Sequence, residues 1–150
     1  MYLKRKITCC VVIVFIVLLI CLAIYFKPVS LSAVIDEDCQ VKITINELGV
    51  RNGEAYIDSV PYQSITLEQK NSILALLEQY AYQRTFATPF SDGSLSGLGN
   101  RVLYIYVYDD ISLVNNICIT SSGKISINEK SYHMKNADQF IELIAEIMGR

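Results

Sequence analysis

Between Ile7 and Phe26 the chain runs for twenty residues with no charge and no proline. At about 1.5 Å of rise per residue such a helix measures roughly 30 Å, the thickness of a bilayer's hydrocarbon core. Fourteen of the twenty are Leu, Ile, Val or Phe, each favouring the membrane interior by about 0.3 to 0.6 kcal/mol. The expectation is a transmembrane signal-anchor whose partner, through Ile7 to Phe26, is the lipid bilayer. Lys4, Arg5 and Lys6 precede the run and only Lys27 follows it closely, which places the N-terminus in the cytoplasm and the rest outside. Pro28 forbids simple continuation of the helix. The expected layout is a cytoplasmic tip and anchor at 1–27, an acidic linker at 28–40 and an extracytoplasmic domain at 41–150. The competing reading is a cleaved signal peptide, with Ser30 and Ser32 before a cut near Ala33 and a secreted product. Against it, signal-peptide apolar regions run only about 7 to 15 residues. Ile20 before Cys21 does not match the small residue that lipidation of that cysteine requires.

The remaining 123 residues are room for one domain. Four of the 13 Lys and Arg belong to the anchor, so nine positives face all 15 acids, a net charge of about −6. No basic stripe appears, and nucleic acid is excluded as a partner because phosphate binding needs clustered cations. Cys39 and Cys118 are the two cysteines beyond the anchor. Two readings stand for them: one disulfide in an oxidising compartment, or Cys118, flanked by Ile117 and Ile119, as simply a small buried hydrophobe. The acidic run Asp36, Glu37, Asp38 lacks the spacing and glycine turn of a calcium loop and reads as a solvated stub.

Val41, Ile43 and Ile45 alternate with polar residues as a strand with one buried face. Asn52-Gly53 then turns the chain into a second strand up to Val60. Thr66 and Gln69 form a capping box ahead of a helix from Leu67 to about Thr85, with Ile73, Leu74, Leu77, Tyr80 and Ala81 on its apolar stripe. Phe86 to Asn100 is a long loop rich in glycine and serine, matching neither a phosphate-binding glycine pattern nor a nucleophile elbow. Val102 to Tyr108 is the strongest strand, with Leu103, Ile105 and Val107 on one face and Tyr104, Tyr106 and Tyr108 on the other. Strands at Ser112–Thr120, Lys124–Ile127 and Ser131–Met134 follow. Asn136 and Gln139 are read as capping a last helix carrying Phe140, Ile141, Ile144, Ile147 and Met148. The fold class is therefore α+β: after the transmembrane helix, a two-layer domain with a mostly antiparallel sheet of five or six strands and two helices on one face. The uncovered face is expected to carry Tyr104, Tyr106, Tyr108 and Tyr132 as a binding surface.

The run Y-I-Y-V-Y-D from Tyr104 to Asp109, G-K-I-S-I-N from Gly123 to Asn128, Tyr132, and N-A-D-Q-F-I-E-L-I from Asn136 to Ile144 resembles small membrane-anchored or lipoprotein-type extracytoplasmic domains of unknown function from Gram-positive bacteria. The resemblance covers residues 41–150, rests on turns and core positions, and brings over no catalytic residue. The lipobox cysteine of many such domains has no counterpart here.

Chemistry-bearing residues are few. His133 is the sole histidine, and no spacing ties it to a serine, aspartate or metal-ligand set. No catalytic residue, metal or cofactor is expected. Three functions follow in order: an extracytoplasmic interaction or sensor-like domain binding an envelope or extracellular protein, a membrane-tethered immunity or inhibitor protein, and a small hydrolase.

Overall fold

The computed structural model describes residues 2–35, 38–51, 53–59, 63–95 and 99–149. Helix α1 (Tyr2–Tyr25) is followed by strand β1 (Val29–Ser30) and a 3-10 turn at Leu31–Val34. Next come β2 (Gln40–Arg51), β3 (Glu54–Ser59), β4 (Gln63–Ser64), α2 (Leu67–Gln79) and β5 (Ala81–Gln83). A second 3-10 turn at Thr88–Phe90 precedes β6 (Arg101–Asp109), β7 (Ser112–Thr120), β8 (Lys124–Ile127), β9 (Lys130–Met134) and α3 (Ala137–Ile147). The strands form one sheet in the order β1-β5-β9-β8-β7-β6-β2-β3, with β4 also pairing to β2. Every pairing is antiparallel.

Alternation in the sequence sets the register. Val41, Ile43 and Ile45 stand opposite Val107, Ile105 and Leu103. Leu103 and Ile105 stand opposite Ile119 and Ile117, which in turn face Ile125 and Ile127. Cross-strand partners share a face, so these side chains make one continuous apolar floor. Phe140, Ile141 and Ile144 of α3 and Ile73, Leu76 and Leu77 of α2 join that floor in a single buried cluster. Each such side chain withdrawn from water contributes about 1.5 to 3 kcal/mol. At the far end of the long hairpin, Val107 faces Asn115 while Tyr108 faces Leu113. Val114 is thus the extra residue of a bulge, which twists the strand pair locally.

The local signals for α2 hold in detail. Thr66 Oγ1 accepts from the Gln69 amide at 3.2 Å, and Gln69 Oε1 accepts from the Thr66 amide at 3.0 Å, closing the capping box. Gln69 Nε2 also donates to the Ile147 carbonyl at 3.2 Å, tying the start of α2 to the end of α3. Between β8 and β9 the chain reverses in two residues, Asn128 and Glu129, both at positive φ, the conformation whose twist matches that of the flanking strands.

Several expectations are corrected. The α+β class and the antiparallel pairing stand, but the sheet has eight strands in sequence along it, plus β4, not five or six. The three additional strands, β1, β4 and β5, are two or three residues long, too short to show a period of two. The helix expected to reach about Thr85 ends at Gln79, and Tyr80, at φ −115° and ψ 146°, turns the chain into β5. The expected transmembrane helix is also overturned: among the described residues no helix is long and apolar enough to cross a membrane.

The segment expected as a linker is part of the fold. Val29 and Ser30 pair with Tyr82 and Ala81, and Leu31, Ile35 and Cys39 are buried; Asp36 and Glu37 lie outside the described residues. Asn136 does begin α3, but at φ +56° and with no side-chain capping bond, so its role is a left-handed turn instead of an acceptor for a free N–H.

Candidate functional site

The helices cover one face of the sheet, and the tyrosines of β6 line the other. Tyr104, Tyr106 and Tyr108 are half-buried, with the Tyr104 and Tyr106 rings stacked at 6.3 Å and 14°. The Lys42 ammonium lies 4.9 Å from the centre of the Tyr108 ring, within reach of a cation–π attraction. Tyr132 does not join them. It stands opposite Ile125, hence on the helix-covered side, where its ring packs edge-on against Tyr82 at 4.9 Å. Burial and the neighbouring Tyr132 raise the pKa of Tyr82, with Arg84 opposing, so Tyr82 stays un-ionised at neutral pH and serves as structural filling.

The long loop after β5 crosses the open face. Thr88, buried, donates from its hydroxyl to the Ser131 carbonyl at 2.7 Å. The Ser131 amide donates to Ser91 Oγ at 2.9 Å, and Lys130 Nζ donates to the Ser91 carbonyl at 3.1 Å. The loop is therefore fastened across β9. Beyond Ser91 it passes over the β8–β9 turn at Gly93, which sits at φ +78°; a Cβ there would lie 2.5 Å from Glu129 Cα. Only glycine permits both that conformation and that approach. Residues 96–98 lie outside the described residues.

Between strap and sheet lies a cavity of about 370 Å³ lined by Asp92, Gly93, Leu95, Tyr104, Asn116, Cys118, Ser126 and Glu129. Its floor is polar because Tyr104, Cys118 and Ser126 are successive cross-strand partners, on the face opposite the isoleucine floor. Two carboxylates stand at its rim. The Ser94 amide, 3.0 Å from Asp92 Oδ1, and the Ser94 hydroxyl hold the Asp92 carboxyl below its ordinary pKa, so it is ionised at neutral pH. The turn carrying Glu129 is fixed through Asn128, which accepts from the Asn116 amide at 3.0 Å and donates to Asn115 Oδ1 at 2.7 Å. Asn115 in turn donates to the Val34 carbonyl at 2.6 Å. An anionic rim, aromatic rings and hydroxyl and amide groups suit a cationic, donor-rich side chain.

The cysteines do not pair. Cys39 and Cys118 are both free thiols. Cys39 is buried in the helix-side core, next to Gln40, which faces Tyr108. Cys118 faces Tyr104 on the other side of the sheet. Four residues along the strands put them about 13 Å apart in that direction alone, beyond the reach of a disulfide. Burial pushes the Cys118 thiol up to about 11, with a Tyr104 hydrogen bond opposing, which makes it a poor nucleophile at neutral pH.

His133 is exposed near the opposite edge of the sheet, where its cross-strand partners are Lys124 and Gln83. Among the described residues no three His, Cys, Asp or Glu side chains gather to hold a metal ion. The strap residues Thr88, Ser91 and Gly93 and the floor residues Asn116 and Ser126 were not singled out by the sequence. Alternation along β7 and β8 carries a signal for the floor, whereas nothing local foretells which strand the loop lies against. Comparison with family models, with characterised proteins and with solved structures gives no match to this chain.

Proposed function

We propose that this is a protein-binding domain which receives a basic segment of its partner on the tyrosine-lined face and in the cavity beneath the strap. The observation that carries the reading is the rim of Asp92 and Glu129 over Tyr104 in a cavity of about 370 Å³. That space accommodates one long side chain, and an Arg or Lys head placed there meets carboxylate and aromatic ring together. The stacked Tyr104 and Tyr106 supply the amphipathic contact area from which binding hot spots are built. The same two carboxylates favour inhibition of a basic protein, such as a toxin neutralised by an immunity protein, as the second reading.

The domain works at a membrane. On α1, Val11, Ile13, Val14, Phe15 and Ile24 are each more than half exposed, an apolar surface that burial in lipid would remove from water. Flotation of the full chain with lipid vesicles tests this part, and a chain that stays monodisperse and lipid-free refutes it.

For the binding face, a partner captured by the wild-type chain is retested against Tyr106→Ala and Glu129→Gln. Loss of about 2 kcal/mol for the tyrosine, a typical hot-spot truncation, together with weaker binding at high salt, supports the reading. Unchanged affinity in both variants rejects it.

A further inference from the structure

A second cavity, of about 400 Å³, lies beside the point where the chain leaves α1. Pro28, Gln79, Tyr80, Ala81, Gln83, His133, Lys135 and Asn136 line it. The position follows from the fold: Gln83 Nε2 donates to the Phe26 carbonyl at 2.9 Å, Phe26 packs edge-on against Phe86 at 4.6 Å, and the Arg84 guanidinium lies 5.3 Å from the centre of the Tyr25 ring. The end of α1 is thus held directly against β5 and the start of the strap. The lining contains two basic side chains, three carboxamides and a phenol, and no carboxylate, in a domain whose charge is otherwise negative. Lys135 brings a fixed positive charge, and Gln79 and Gln83 each keep one amide hydrogen beyond the one given to the Ala75 and Phe26 carbonyls. Asn136, at the left-handed start of α3, adds the positive end of that helix.

We infer that this cavity binds a phosphate-type anion, through Lys135 and His133 with the carboxamides of Gln79, Gln83 and Asn136 completing the set. It is separate from the tyrosine-lined cavity, so either site can fail without the other. Two sources supply the same chemistry: the phosphate of an anionic lipid headgroup near the end of α1, or a free phosphate monoester.

The test uses the full chain and reads the rate of amine acylation at each lysine by mass spectrometry. In neutral detergent the probes are inorganic phosphate and glycerol 3-phosphate; in vesicles, phosphatidylcholine alone is compared with phosphatidylcholine containing phosphatidylglycerol. At a ligand concentration of about twice Kd, protection of Lys135 reaches about threefold, one plus the ratio of ligand to Kd. Lys130, whose ammonium is engaged by Ser91, keeps its rate throughout and serves as the internal reference. Protection by the soluble phosphates identifies a phosphate monoester as a sufficient ligand, whereas protection only by phosphatidylglycerol vesicles identifies a headgroup. Thermal stabilisation by whichever probe protects must vanish in Lys135→Gln/His133→Gln, a pair of exposed residues, in a variant whose unliganded melting transition matches the wild type. Equal acylation of Lys135 under all four conditions, or stabilisation that survives in the double variant, overturns the inference.

Discussion

Gly93→Ala is the substitution with the sharpest expected cost. At φ +78° an alanine carries left-handed strain of about 1 to 2 kcal/mol. Its Cβ would also lie 2.5 Å from Glu129 Cα, 2.8 Å from that residue's carbonyl carbon and 2.9 Å from Ser126 Oγ. Carbon atoms settle at about 3.5 to 4.0 Å, so something must move by about 1 Å. The β8–β9 turn is poorly placed to yield, because Asn128 and Asn115 tie it to β7 and to the Val34 carbonyl. The strap must lift instead, endangering the three bonds of Thr88, Ser91 and Lys130, each worth about 1 kcal/mol. Strain plus one or two of these bonds gives about 2 to 4 kcal/mol. Urea denaturation measures the total, and hydrogen exchange at the Ser131 amide, whose acceptor is Ser91 Oγ, reports strap release directly. Gly53→Ala provides the contrast, since Gly53 has φ +82° but nothing within 4 Å of its added Cβ; it should cost only the strain. Equal costs for the two, with Ser131 still protected in Gly93→Ala, would refute the strap's dependence on close approach.

Three further outcomes are expected. Thr66→Ala should lower stability by about 1 kcal/mol, because the Gln69 amide loses its acceptor; an unmoved urea midpoint contradicts the cap. Asn136→Ala should cost about 1 kcal/mol through left-handed strain whereas Asn136→Gly should not, and equal losses would restore a side-chain role for the asparagine. Folded-state pKa values raised at Cys118, to about 11, and at Tyr82 contribute stability that is complete below about pH 9, the ordinary cysteine value, and is lost as pH climbs towards and past 11. The melting temperature should therefore fall over that interval, less steeply in Cys118→Ala; identical slopes would show that ionisation of Cys118 does not govern the fall.

Where a residue's neighbours in space are its neighbours in sequence, the structure was legible beforehand. The alternation of β6 assigned Tyr104, Tyr106 and Tyr108 to the uncovered face, and the Thr66–Gln69 spacing located the start of α2. Tyr132 went astray because its face depends on register across β8 and β9, set by a turn whose Asn128 and Glu129 carry no glycine to advertise positive φ. Leu31 and Ile35 were read as linker because two apolar residues beside an acidic run show no period, although tertiary packing buries both. The strap was invisible for a related reason: Thr88 and Ser91 bond to Ser131 across forty or more positions, a long-range choice that composition does not encode.

Site-specific photo-crosslinking from position 106 in cells tests the binding face most directly, with position 56 on the exposed edge strand β3 as the reference. A photoreactive residue at Tyr106 should give one discrete protein adduct, competed by added salt and absent when Asp92 and Glu129 are both made neutral, while the same residue at Tyr56 gives none. Adducts at Tyr56 but not at Tyr106, or an adduct at Tyr106 indifferent to the two carboxylates, would contradict a partner seated on the tyrosine face through a basic segment.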